Sequence, residues 1–190
     1  MRRSIITTFL ILLALAAGIT AAREPARARR PAATQDGISV YFSPHGGATD
    51  AMVAEIEQAT RTVDVQAYSF TSAPIAKAVA DAHRRGVAVR VILDKSQRTA
   101  RYTSATYLFN AGVPTYIDDA HAIAHNKLMI LDGQTVITGS MNFSRAGEES
   151  NAENVLVIKD KPEIVAAYLD NFTRHMEHSR RYEGLPVRSE

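Results

Sequence analysis

Short apolar runs alternate with amphipathic stretches along most of the chain. The runs at 38–42, 62–68, 87–93 and 115–118 predict strands, and the stretches at 50–59, 72–85 and 102–111 predict helices between them. The helix at 72–85 is well punctuated: Ser72 can cap its start, Pro74 fits the first turn, Arg84 and Arg85 suit the negative end of the dipole, and Gly86 can take the left-handed stop. Ile75, Val79 and Ala82 form its buried stripe. Beyond residue 118 the pattern changes to strands at 126–131, 136–139 and 154–159, followed by a helix at 162–176. Asp132-Gly133, between two apolar runs, is a hairpin signal. Strand alternating with helix predicts an α/β fold whose mixed, largely parallel sheet carries helices on both faces.

The ends of the chain read differently. Arg2 and Arg3 precede an apolar run at 5–17 and small residues at 18–22, the layout of a secretory leader cleaved after Ala22. A membrane anchor is the competing reading, but Thr7, Thr8 and Gly18 interrupt a segment barely reaching the roughly 20 apolar residues that a span needs. Residues 23–36, rich in Pro, Ala and Arg, read as a disordered tether, with order expected from about Ile38 and one domain over 37–190. The expected location is therefore periplasmic or secreted.

Composition removes several classes of chemistry. With no cysteine, disulfides, thiolate metal sites and cysteine nucleophiles are excluded, as is a lipid-modified cysteine behind the leader. The sequence pI near 9.0 suggests a polyanion ligand, but six arginines precede residue 37. Residues 37–190 carry 16 basic and 18 acidic side chains, so any affinity for phosphate must come from a local cluster.

One such cluster lies between residues 125 and 154. Alternate residues of a strand share a face, so His125 and Lys127 can converge on one anion, and Ser140 and Asn142 repeat the spacing with a hydroxyl and an amide. An imidazole, an ammonium, a hydroxyl and an amide aimed at one point suit a phosphate, with a nucleophile or base beside electrophilic donors. Asp132 has the opposite parity to His125 and precedes Gly133, which suits turn formation or a structural ion pair better than catalysis.

The spacing of His125, Lys127 and Asp132, followed by Gly139-Ser140-Met141-Asn142, resembles the HxKxxxxD signature of the phospholipase D superfamily, most closely its small Nuc-type bacterial endonucleases. Six such positions would coincide by accident in on the order of one in a million chains of this length. The resemblance extends through VYFSPHGGA at 40–48, the stretch at 67–94 and NAEN at 151–154. It implies a phospholipase D/nuclease-like fold and a phosphodiesterase in which His125 forms a phosphohistidine, Lys127 and Asn142 bind nonbridging oxygens beside Ser140, and Glu153 holds the other imidazole nitrogen. Asp132 belongs to the same signature and is carried with that catalytic set. No cofactor or metal is implied. A single signature, where longer members carry two, implies a homodimer with a shared site. A nonspecific endonuclease acting on DNA, and on RNA, is the leading reading. A phospholipase D acting on phosphatidyl head groups, which would need an apolar rim or interfacial helix, and a catalytically inactive binding module are the alternatives.

The remaining polar residues have simpler readings. His83, His175 and His178 read as surface or satisfied histidines, and His45 as part of a Pro-Gly turn. His121 and His125 are four apart with Asp118 and Asp119 nearby, but the segment is too short for a helical metal pair. Arg84, Arg85 and Arg90 read as a solvated helix end and strand start. Lys95, Arg98 and Arg101 either do the same or line a nucleic-acid groove.

Overall fold

A computed structural model describes residues 30–100 and 102–185. In chain order the elements are β1 (Ala33–Gln35), β2 (Ile38–Ser43), α1 (Ala48–Gln58), β3 (Thr62–Ala67), α2 (Ala73–Arg84) and β4 (Ala88–Asp94). A single 3₁₀ turn (Lys95–Arg98) leads to α3 (Ser104–Asn110), β5 (Thr115–Asp118), β6 (Lys127–Leu131) and β7 (Thr135–Gly139). The chain closes with α4 (Arg145–Glu149), β8 (Glu153–Lys159), α5 (Pro162–His178) and β9 (Arg180–Arg181). The predicted leader lies outside the described residues.

All nine strands join one sheet in the order β1-β2-β8-β7-β6-β3-β4-β5-β9. The α/β class and the mixed sheet match the sequence reading, but the expectation of a largely parallel sheet is corrected. Only β3 with β4 and β4 with β5 are parallel, and the other six pairs are antiparallel. The reason is the connections. Helices α2 and α3 carry the chain back across the sheet between β3, β4 and β5, whereas β5 reaches β6 through a loop and β6 reaches β7 through a tight hairpin. In that hairpin Asp132 and Gly133 both have positive φ, 54° and 64°, as the predicted turn requires.

Order also begins before Ile38. Asp36 and Gly37, with φ of 46° and 80°, form a tight turn that folds Ala33–Gln35 back along β2, so the end of the predicted tether is an edge strand. Gly86 takes the left-handed stop after α2 with φ 91°, while Ser72 stands at its N-cap without a side-chain cap bond.

Alternation along the strands builds two cores. Val65, Leu93, Met129, Ile137 and Val155 pack with Met52, Ile56, Ile75, Val79 and Leu108 of α1, α2 and α3. On the opposite face Ile92, Leu128, Ile130, Val136 and Ile158 pack with Val165 and Phe172 of α5. Each large side chain buried this way contributes about 1.5–3 kcal/mol. Arg90 is not the solvated strand start of the sequence reading. It lies opposite Asp64 in the β3–β4 register, donates to both its oxygens at 2.7 and 2.8 Å, and covers the Phe172 ring at 5.0 Å. That bidentate bond raises its pKa against the effect of burial.

Candidate active site

The strand registers place the polar residues of the sequence cluster along one end of the sheet. Ser43 pairs with Glu153, Gly139 with Val155, Leu128 with Thr138, and Lys127 with Ala67. His125, Lys127, Ser140 and Glu153 therefore lie within a residue or two of a single row. Lys127 shares the parity of Met129, and Glu153 that of Val155, so both face the side covered by α1, α2 and α3.

His125 lies two residues before β6 and is exposed, just outside the strand that the sequence pattern places at 126–131. Its ring packs on Tyr68 with centroids 4.5 Å apart and planes inclined at 54°. Tyr68 in turn donates its backbone N–H to the Asn126 carbonyl at 2.9 Å, which ties the end of β3 to the segment delivering His125. Lys127 is only 7% exposed. Its Nζ donates to the His125 carbonyl at 2.8 Å and stands 5.2 Å from the Tyr68 ring centroid, a cation–π arrangement. Burial lowers the Lys127 pKa, and the charge of Glu153 opposes that shift.

Ser140 follows β7 and donates its hydroxyl to Glu153 Oε2 at 2.5 Å, while accepting the Asn154 N–H at 3.1 Å. The second carboxylate oxygen, Glu153 Oε1, accepts from Asn151 Nδ2 at 3.0 Å. The expected contact between Glu153 and the His125 ring is thus absent among the described residues. Glu153 instead fixes Ser140 and supports the charge of Lys127, and Tyr68 holds the imidazole. Gly139 makes this packing possible, because a Cβ there would meet the Asn154 carbonyl oxygen at 2.1 Å. Asn142 Oδ1 is buried without a hydrogen-bond partner among the described residues, an arrangement costing about 1–3 kcal/mol.

Asp132, carried with the catalytic set by the resemblance, sits at the far end of β6. Its carboxylate accepts the backbone N–H groups of Thr60, Arg61 and Thr62 at 3.0, 2.7 and 2.9 Å. About 17 Å of strand separates it from Lys127. It clamps the entry to β3, as its parity indicated, through hydrogen bonds rather than an ion pair.

His45, with φ 60°, lies on the loop after β2 at the same sheet end as Glu153. Glu148 of α4 organises that loop: its carbonyl accepts the His45 N–H at 2.7 Å, and its carboxylate accepts Gly47 and Thr49 N–H at 3.0 and 2.8 Å, capping α1. Neither Tyr68 nor Glu148 was assigned a role from sequence. The only local signal was that each lies in or beside a stretch carrying the resemblance. Lys95 donates to the His121 carbonyl and Arg98 pairs with Asp119, so both are engaged within the chain.

Comparison with known proteins gives one family match and several relatives. Residues 52–176 match the family model described as "Cardiolipin synthase, PLD-like domain". The chain is 38% identical over 135 residues to "Phospholipase D" of Rickettsia felis, covering 71% of this chain and 67% of that protein. It is 35% identical over 135 residues to "Mitochondrial cardiolipin hydrolase" of Xenopus laevis, covering 70% and 64% respectively. Among solved structures it resembles Nuc from Salmonella typhimurium, a phospholipase D family member, with TM-score 0.74 and 35% identity over 76% of this chain and 97% of that one.

Proposed function

The chain belongs to the phospholipase D superfamily as one of its phosphodiesterases, and from that premise we propose that it is a metal-independent endonuclease working through a phosphohistidine on His125. The observation carrying this reading is the placement of the buried Lys127 ammonium on the His125 carbonyl, beside an exposed imidazole. A cation held there meets the charge that develops when the ring attacks phosphorus.

In the first step an imidazole nitrogen of His125 bonds to phosphorus while the bond to the leaving oxygen breaks. Lys127 and Asn142 hold nonbridging oxygens, and Ser140 is kept beside them by Glu153. The leaving oxygen takes a proton from the opposite side, which a second copy supplies through the partner's His125. Water then gives a proton to the partner's His125, now deprotonated, and attacks phosphorus; the P–N bond breaks, freeing His125, and a phosphomonoester leaves. An open sheet end with His125, Ser140 and Asn154 exposed suits a polymer backbone that is contacted through phosphate rather than through its bases.

Phospholipid hydrolysis is the second reading. Phe42 and Ile123, 54% and 56% exposed, flank the same end of the sheet and offer an apolar rim. Purified protein incubated in parallel with supercoiled plasmid and phosphatidylcholine vesicles, both with chelator, separates the two. Plasmid nicking that His125→Ala abolishes is the expected result. Vesicle hydrolysis without nicking establishes the lipid reading, and activity restored only by added metal overturns the mechanism.

A further inference from the structure

On the face of the sheet opposite Lys127, four further side chains converge. Ile117 points into the α1–α3 core, so Asp118 faces α5. Its side chain is fully buried. His175 Nδ1 lies 2.7 Å and His121 Nδ1 3.1 Å from its carboxylate, and His178 Nε2 lies 3.4 Å away. The three rings stand 4.8–5.3 Å apart, centroid to centroid. One ligand atom from each of the four residues lies within 4.8 Å of every other.

We propose that Asp118, His121, His175 and His178 form a structural site for a divalent transition ion, zinc being the best match. Bonds of about 2.0–2.1 Å in a tetrahedron set ligand atoms roughly 3.3 Å apart, so closing the cluster needs shifts of only about an ångström. Three imidazoles and one carboxylate are the ligand chemistry of borderline ions such as zinc, and four protein ligands make a closed, structural site. The surroundings favour a cation as well. His175 and His178 are i, i+3 in the last turn of α5, where the helix dipole is negative and terminal carbonyls lack helical partners. A carboxylate satisfied by one imidazole has little use for three, whereas one ion takes a lone pair from each.

The placement defines the role. Asp118 stands three strands from β6, about 14 Å across the sheet and on its other face, so the ion takes no part in the phosphoryl step. It would join the end of β5, the start of the loop at 119–126 and the end of α5. That loop delivers His125 to its position, and further along it the Ala124 N–H is held by Asp94 Oδ2 at 2.7 Å. The ion would therefore act as a clip on the segment that presents His125, stabilising its position without contacting substrate.

The test is zinc content and stability of the purified protein. Elemental analysis after dialysis is expected to give one zinc per chain. In calorimetric titration the metal-stripped protein should take up one equivalent, and zinc at about 100 times Kd should raise Tm by roughly 5–10 °C. His121→Gln and His178→Gln keep a hydrogen-bond donor near Asp118, so their stripped forms should match the stripped wild type in circular dichroism while binding zinc at least roughly 100-fold more weakly, a larger loss than that of outer-shell partners. His178→Cys replaces one zinc ligand with another and should retain the ion. With cobalt the wild type should show the strong visible absorption of a four-coordinate site. Absence of stoichiometric uptake, or equal affinity in wild type and both Gln variants, overturns the proposal. Chelator should lower Tm without stopping plasmid nicking at 25 °C, which separates a failure of this site from a failure of the proposed mechanism.

Discussion

Lys127 Nζ caps the carbonyl of His125, two residues back along the same chain, at 2.8 Å. In the proposed mechanism the charge that meets the phosphate and the nucleophile that attacks it would thereby be one local unit, with the Tyr68 ring against both. His125→Ala should abolish turnover with folding intact. Lys127→Ala should lower kcat by about 10²–10³, the loss of roughly 2.7–4 kcal/mol expected for one preorganised donor. Tyr68→Ala should cost a further-removed contact of about 0.5–1.5 kcal/mol, and Tyr68→Phe much less, because the contact is made by the ring. Steady-state kinetics on plasmid, with circular dichroism as the folding control, checks all four. Undiminished activity in His125→Ala would remove the nucleophile from the scheme.

Glu153→Gln tests the electrostatic coupling. Burial depresses the Lys127 pKa and Glu153 opposes the depression, so removing the carboxylate charge should depress it further. Lys127 then loses its proton at lower pH, and the alkaline limb of the rate profile should move toward neutrality. A profile superimposable on that of the wild type would show that Glu153 acts on Ser140 alone.

Asp132 should matter to stability and not to chemistry. Desolvation tends to raise its pKa, but the N–H groups of Thr60, Thr62 and Arg61 outweigh it and hold the carboxyl below the ordinary range. A depressed folded-state pKa gives stability that is present above the unfolded value and lost as pH falls through the folded one. Asp132→Ala should therefore lower stability by about 1–3 kcal/mol at neutral pH, with a difference that narrows in acid, and leave kcat unchanged at permissive temperature. Urea unfolding across pH supplies the measurement. A large loss of kcat in the folded variant would return Asp132 to the catalytic set.

Mixed dimers of wild type with His125→Ala test the shared site. Each contains one imidazole where the displacement needs both an attacking nitrogen and a proton donor, so multiple turnover should fail. A diester whose leaving group needs no proton should still leave a phosphorylated His125, visible by intact mass. Half the wild-type activity per mixed dimer, or full activity from a monomer of verified mass, would show that each chain has its own complete site.

The legible parts of this molecule are those set by neighbours in sequence. The Asp132-Gly133 turn and the stripe of α2 depend on local backbone geometry, and each is found where the pattern placed it. Strand order is different in kind, since β6 inserts beside β3 through a pairing that no local periodicity encodes. The same holds for Glu153, whose partners Ser140 and Asn151 come from flanking loops. Asp118 and His175 lie 57 positions apart and meet only because α5 crosses the sheet beside β5. Each histidine read alone was ordinary, and only the convergence gives them meaning.

The hairpin at 132–134 lies at the pole of the sheet away from His125, and Gln134 on it is exposed. Because the chain has no cysteine, a thiol introduced at that position would be unique, giving a spin or fluorescent label without competing reaction. Two copies sharing a phosphate at their catalytic ends would carry such labels at opposite extremes of the particle, separated by more than about 33 Å, twice the length of β6. The turn thus offers a ruler for the proposed dimer, attached at the end of the sheet away from His125 and Lys127.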